Sequence, residues 1–375
     1  MENFFTSLGL MSGTSMDGID ASIIRSNGEN KYETIIDRYF EYDDDIYQEL
    51  INIRDKITSS KDLTYYSDLI SDVERKITLF HAAVSKKVIE ESSTDIDFVG
   101  FHGQTIFHNS KEKITKQLGD GNLLSSLLKK RVVYNFRQND IDNDGQGAPL
   151  APIFHHLLIK QKQIKLPVCI LNIGGIANIT IMKSNKINDL MSYDIGPGNC
   201  LLDELVRKKT KNKCDVDGKL AKNGNTNINI LNQAIDNFES IKKTKNLSLD
   251  INDFNLNFIR GLTIEDGLST LSDFTATLIS EAIQNSINIK KDEILEVLVC
   301  GGGRKNTNLI DNIKKKFPKN IILKLIDDYE MNGDFIESQA FAYLAIRSYL
   351  KLPISFPQTT NVKTPCVGGI LVKNY

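Results

Sequence analysis

In "GLMSGTSMDGID" (Gly9–Asp20), the residues Gly13, Thr14, Ser15, Met16, Asp17, Gly18, Ile19 and Asp20 gather glycines, hydroxyls and carboxylates into one short stretch. Backbone amides in a glycine-rich turn, with hydroxyls beside them, suit phosphate oxygens. Asp17 would repel a phosphate directly, so its useful role there is to hold Mg²⁺, directly or through water. No Gly-Lys-Ser/Thr follows, and the stretch leads into an apolar strand instead of a helix, which excludes a P-loop. A plain hairpin, with Asp and Gly supplying turn geometry, fits the same residues.

Other stretches carry groups of the same kind. In "SYDIGPGNCLLDEL" (Ser192–Leu205), Gly196, Pro197 and Gly198 make a bend, and Leu201, Leu202, Leu205 and Val206 then begin a helix. Asp194 is expected just before that helix start, where backbone donors favour an ionised carboxylate able to act as a general base. On spacing alone, a turn-and-cap role is the commoner one for Asp at such a place. "VCGGGRKN" places Gly301, Gly302 and Gly303 after an apolar strand, letting backbone approach a flat ring or a phosphate, or simply making a strand-to-helix turn. His102, Gln104 and His108 in "FHGQTIFH", with Arg137 and Asp140 in "NFRQND", can orient the hydroxyls and acid group of a sugar, although a lone His beside a strand is more often a satisfied structural residue. Asp334 and Glu337 have the spacing of a capping box.

These groups need a scaffold. Leu8–Leu10 and Ala21–Ile24 read as two arms of a hairpin around the first turn. "VCILNIGGIANITIM" (Val168–Met182) repeats the pattern around Gly174 and Gly175, which points to a duplicated architecture. Leu69, Ile70, Val73, Ile77, Phe80, Val84 and Val88 recur at helical spacing, as do Leu268, Leu271, Phe274, Leu278, Ile279 and Ile283. "DFVGFHGQTIFH" reads as a strand entering a polar loop; "RVVYNF", "LEVLVC" and "IILKLI" read as further strands. Alternating helices and apolar strands predict an α/β fold. The polar region 208–257 predicts surface helices and loops.

The 375 residues suffice for about two domains. A net charge of −2 gives no bulk attraction to nucleic acid or an acidic membrane. Cys169, Cys200, Cys214, Cys300 and Cys366 form no metal-ligand spacing, which fits a reducing compartment. Glu2 and the lack of a basic start argue against a signal peptide, and no apolar run approaches the ~20 residues of a spanning helix, so a cytoplasmic location is expected.

Taken together, "GLMSGTSMDGID", "GFHGQT", "GQGAPL", "LNIGGIANIT", "DIGPGN", "VCGGGRKN" and "ESQAFAYLA" resemble the anhydro-N-acetylmuramic acid kinases, over essentially the whole chain. The resemblance implies two ribonuclease-H-like lobes of the actin-like ATPase fold, with a nucleotide cleft between them. The N-terminal lobe would be residues 1–165 plus about 345–375, and the C-terminal lobe residues 166–344. ATP and its phosphates would meet Gly13 to Asp20, Gly174, Gly175, Asn178, Gly196 and Gly301 to Gly303, with Mg²⁺ at Asp17. Asp194 would be the catalytic base, and His102, Gln104, Arg137 and Glu337 would bind the sugar. The implied reaction opens the 1,6-anhydro ring of anhydro-N-acetylmuramic acid and phosphorylates O6, in cell-wall recycling. The implied partner is that small sugar, with no nucleic acid or membrane, and a homodimer is compatible with it. Asn135, Asp144 and Ile195 stand where the family usually has Asp, Gly and Thr, and "FESIKKTKNLSLDINDF" lacks the family's Pro- and Gly-containing signature. A hexokinase-like kinase for another amino sugar and a non-catalytic ATP-binding module remain as alternatives.

Overall fold

The computed structural model describes residues 3–244, 249, 251–287 and 293–375. They belong to two α/β units, one of Met1–Ile164 with Asp334–Tyr375 and one of Lys165–Gly333. In the first unit, runs of Leu, Ile, Val and Phe form β1 (Phe5–Ser12), β2 (Gly18–Ser26), β3 (Tyr32–Glu41), β4 (Phe98–Asn109), β5 (Ile114–Leu118) and β6 (Arg131–Tyr134). The sheet order is β12-β6-β4-β1-β2-β3, where β12 is the chain's last strand (Ile370–Val372) and β5 hangs on β4. Strands β1 to β3 run as an antiparallel meander, while β4 lies parallel to β1 and β6 parallel to β4. Parallel neighbours require crossovers, and the helices Ser67–Ser92 and Gly121–Leu128 supply them.

The second unit repeats this plan. Its strands are β7 (Val168–Ile173), β8 (Ile176–Met182), β9 (Leu190–Pro197), β10 (Leu295–Cys300) and β11 (Ile321–Leu325). Their order is β11-β10-β7-β8-β9, again an antiparallel meander followed by two parallel strands. This meander-and-crossover order is the ribonuclease-H-like one, so the duplicated α/β fold expected from the two glycine hairpins is present. The strands β7 and β10 are buried along their whole length or nearly so, as expected of central strands covered on both faces. The helices Cys200–Lys209, Ile264–Ser286 and Thr307–Lys316 carry the connections. Region 208–257 includes the helix Ile228–Thr244; residues 245–248 and 250 of its "FESIKKTKNLSLDINDF" stretch lie outside the described residues, as does Glu2.

Three sequence expectations change. The return to the first unit falls at Asp334 instead of near 345, because the whole Ile336–Tyr349 helix packs on the first sheet. "GFHGQTIFH" is not a loop: β4 continues to Asn109 and pairs with β5, which carries His102, Gln104 and His108 within a sheet. Asp194 is not next to a helix start: it lies inside β9, and the following helix begins at Cys200. Among the described residues no helix is long and apolar enough to cross a membrane.

Gly9 and Gly100 are register partners on β1 and β4. A Cβ on Gly9 would lie 1.9 Å from the Ser338 carbonyl oxygen, and one on Gly100 would lie 2.2 Å from that of Phe341. The Ile336–Tyr349 helix therefore rests its backbone directly on the sheet, which fixes where Glu337 stands. Gly100→Ala should cost about 3 kcal/mol, since neither backbone can yield without moving the helix. Urea denaturation measures this, and a variant as stable as the parent would contradict the packing account.

Candidate active site

In the first unit, Gly13–Asp17 forms the turn between β1 and β2. Its anchor is Met16, which adopts a left-handed φ of 58° and buries its side chain in the core, as does Ile19. Those two side chains therefore face away from any ligand, leaving only their backbone for the phosphate role. Thr14 and Ser15 are exposed, and Ser15 Oγ donates to Asp17 Oδ1 at 2.5 Å. The Asp17 carbonyl accepts from the Tyr42 amide at 2.9 Å and the Tyr39 hydroxyl at 3.1 Å, tying the turn to the end of β3. Gly18 is required by the chain itself, because a Cβ there would meet the Phe40 carbonyl oxygen at 2.4 Å. Asp20 pairs with Met11 and Tyr39 inside the meander.

A bulge follows on β4: Leu10 pairs with Phe101 but Ser12 with Gln104, so His102 and Gly103 together oppose Met11. Bulges re-aim side chains and are common beside active sites. Here the bulge turns His102 toward Arg137. The Nδ1 of His102 faces the Gly103 carbonyl at 2.7 Å, while Nε2 faces Arg137 Nη2 at 2.8 Å and Nε at 3.1 Å. A guanidinium only donates, so Nε2 holds the lone pair and Nδ1 the proton. Burial and the Arg137 charge hold the His102 pKa well below the ordinary value, which agrees with a neutral ring. Phe341 packs on that ring at 4.5 Å between centroids. Arg137 also donates Nη1 to the Gly147 carbonyl at 2.8 Å. Glu337 lies within its electrostatic reach: burial pushes the Glu337 carboxyl up and Arg137 pulls it down. The helix starts at Ile336, with Phe335 preceding it, and Glu337 lies in its first turn.

The structure thus brings His102, Arg137 and Glu337 together, and gives Gln104, Asp140 and His108 to other tasks. Asp140 is buried and accepts from the Gly147 amide and Thr360 Oγ1, each at 2.6 Å, clamping the "GQGAPL" loop. His108 bridges Thr115 Oγ1 at 3.0 Å and the Gln146 carbonyl at 2.9 Å. Gln104 is fully buried beneath the first turn.

In the second unit, Gly174 and Gly175 form the tight turn between β7 and β8. Their carbonyls accept from the amides of Asn199 and Gly198 at 2.8 and 2.9 Å, so this turn is seated on the bend before the Cys200–Lys209 helix. Asn178 pairs with Asp194, but Ala177 with Gly196, which leaves Ile195 as the extra residue of a second bulge. Ile195 is buried in the core and Asp194 is half-buried beside it. Gly196 packs near Leu278 and Phe238. The Leu249 amide donates to Asp194 Oδ2 at 2.9 Å, a charge-assisted bond that nothing in the spacing of the sequence announced. Gly301 and Gly303 fit against β7: Cβ atoms there would meet Asn172 Oδ1 at 2.4 Å and Ile173 Cγ2 at 2.3 Å. Arg304 braces this turn with two bonds to Asp327, at 2.8 and 3.1 Å, and one to the Gly301 carbonyl at 3.2 Å.

Glycines not demanded by the chain are more telling. Gly13, Gly174 and Gly302 have no left-handed φ, and a Cβ on any of them would meet nothing closer than 3.6 Å. One lies in each of the three turns expected to face a nucleotide. Among the described residues no cluster of three or more His, Cys, Asp or Glu can hold a metal on its own. The donor set fits Mg²⁺ nonetheless, because that ion keeps several waters and uses one or two carboxylates plus substrate phosphates.

The family model for anhydro-N-acetylmuramic acid kinase matches residues 5–374. An anhydro-N-acetylmuramic acid kinase of Pelagibacter ubique (strain HTCC1062) is 66% identical over 375 residues, 100% of each chain. One from Zymomonas mobilis is 35% identical over 367 residues, 96% of this chain and 98% of the other. The chain belongs to this kinase family. It is an enzyme of that class. The three positions expected to depart from the family pattern sit comfortably in the fold. Asn135 and Asp144 have left-handed φ of 55° and 67°, a region Asn and Asp tolerate better than other non-glycine residues. Asp144 is further held by Lys113 at 2.7 Å and Lys363 at 2.5 Å. Ile195 fills core beneath the second bulge.

Three buried histidines, with the half-buried His108, give the fold an acid limit. Burial lowers His81 and His108 to about 4 and His155 to about 3, and His102 is also depressed. Below pH ~6.5 the unfolded chain binds protons there that the native chain does not, so stability is full above that pH and falls as the pH drops. Each contributes a slope of about 1.4 kcal/mol per pH unit in that window. Asp37 and Glu337, raised by burial, act in the opposite sense and offset part of it. The urea midpoint should therefore be lower at pH 5 than at pH 7.5; an equal or higher value at pH 5 would refute the neutral, buried assignment.

Proposed function

We propose that this chain carries out the family reaction on anhydro-N-acetylmuramic acid, using ATP and Mg²⁺. The observation that carries the nucleotide assignment is the set Gly13, Gly174 and Gly302, glycines with open Cβ directions and ordinary φ. Where the chain does not need a glycine, close approach of a ligand is the remaining reason for one. Thr14, Ser15 and the amides of their turn suit the phosphates. Gly302 suits the adenosine side, while Gly301 and Gly303 shape the turn that presents it.

Asp194 is proposed as the base. It takes a proton from the water that attacks C1; the C1–O6 bond breaks, the water oxygen stays on C1, and O6 is released to attack the γ-phosphorus as ADP leaves. Asp17 would hold Mg²⁺, whose charge offsets that of the transferring phosphoryl group. Arg137 and Glu337 are proposed to orient the sugar, Arg137 as the forked partner of its carboxylate. His102 is best placed to aim Arg137, since its Nε2 is already engaged by the guanidinium. A cytoplasmic location belongs to the same proposal.

Two outcomes test this reading. With ATP, Mg²⁺ and the anhydro sugar in ¹⁸O-labelled water, mass spectrometry should find one solvent oxygen and one phosphate in the product. Phosphorylation without solvent oxygen would instead indicate a kinase for an ordinary sugar hydroxyl. Asp194→Asn should lower kcat by at least ~10³-fold while ATP binding changes less than about threefold, and near-normal turnover would remove Asp194 from the role of base.

A further inference from the structure

Under the Gly13–Asp17 turn runs a buried chain of hydrogen bonds. The Tyr42 hydroxyl lies 2.8 Å from Ser12 Oγ, Ser12 Oγ lies 2.6 Å from Gln104 Oε1, and Gln104 Nε2 lies 3.0 Å from the Gly13 carbonyl oxygen. The direction of every bond follows from the end group. Gly13 O can only accept, so the amide nitrogen of Gln104 must face it and the amide oxygen must face Ser12. Ser12 then gives its single proton to Gln104 and receives one from Tyr42. The Gly18 carbonyl, 3.1 Å from Ser12 Oγ, is a second acceptor within reach.

The consequence lies one peptide further on. In a trans peptide the carbonyl and the next N–H point in opposite directions. Drawing the Gly13 carbonyl inward, where it also accepts from the Met16 amide at 3.1 Å, turns the Thr14 N–H outward. Among the described residues that N–H makes no hydrogen bond, and Thr14 is exposed. A preset amide costs no reorganisation when an anion arrives.

We infer that Gln104 is a positioning residue for the phosphate turn, fixing the Thr14 amide as a donor to the nucleotide, and that it does not bind the sugar. This inference rests on the nucleotide assignment proposed above. It also replaces the expectation that Gln104 orients sugar hydroxyls, because both ends of its amide are spent within the fold.

Gln104→Met keeps length and volume but removes the donor. The Gly13 carbonyl retains Met16 N–H and Ser12 retains the Gly18 carbonyl, so the variant should fold. Its dissociation constant for ATP should rise about tenfold, with adenosine affinity and sugar KM within about twofold of the parent. Ser12→Ala, which loosens the same amide from its other end, should shift the same quantity by a smaller factor, and it decides the matter if Gln104→Met does not fold. A raised sugar KM with unchanged ATP affinity would restore Gln104 as a sugar ligand and overturn the inference. Equal losses for ATP, adenosine and sugar would also overturn it, as a general structural defect. A parent chain that binds ATP yet phosphorylates no anhydro sugar would count against the proposed function and leave the ATP comparison between variants readable.

Discussion

Backbone seated directly on backbone is the constraint from which the rest of this structure follows. Gly9 and Gly100 admit the Ile336–Tyr349 helix onto the first sheet, and Gly198, Gly301 and Gly303 admit neighbouring loops against the ends of β7 and β8. Any side chain at these points would collide with a carbonyl or a buried strand residue at 2.2–2.4 Å or less. The turns at the strand ends are consequently held from below, and their outward faces need no packing of their own. Gly13, Gly174 and Gly302 occupy those outward faces.

Each unit adds a bulge next to the group that would do chemistry. On β4 the bulge aims His102 at Arg137, and on β9 the bulge leaves Ile195 in the core and Asp194 beside it. Desolvation then sets the electrostatics. A neutral His102 accepts from Arg137 without cancelling its charge, so the guanidinium can still attract an acid. Glu337, pushed toward its protonated form by burial, stands near enough to Arg137 to feel the opposing pull.

Much of this was legible in the sequence. Apolar arms around two glycine turns gave the duplicated hairpins, because strand alternation and turn residues are local signals. The identities of Asp194, Arg137 and Glu337 as candidates came with the motifs that surround them. What was hidden was non-local. A strand that runs through "GFHGQT" into a second hairpin looks polar in sequence, since its His and Gln are satisfied by distant partners: Arg137, Ser12 and Gly13. Tyr42 and Leu249 carry no motif at all, yet one supports the first turn and the other bonds Asp194. Bulges shift which residue faces which, and no spacing rule reveals them. Distinguishing Gly302 from Gly301 and Gly303 likewise required knowing what stands within 4 Å of each.

The central claim is that open glycine positions mark where a nucleotide meets the backbone. Selective ¹⁵N-glycine labelling, with assignments from single substitutions, allows a titration with a non-hydrolysable ATP analogue and Mg²⁺ to be followed by amide shifts. The account predicts the largest shifts at Gly13, Gly174 and Gly302, with Gly9 and Gly100 little changed. Saturating nucleotide that leaves those three amides unmoved would contradict it.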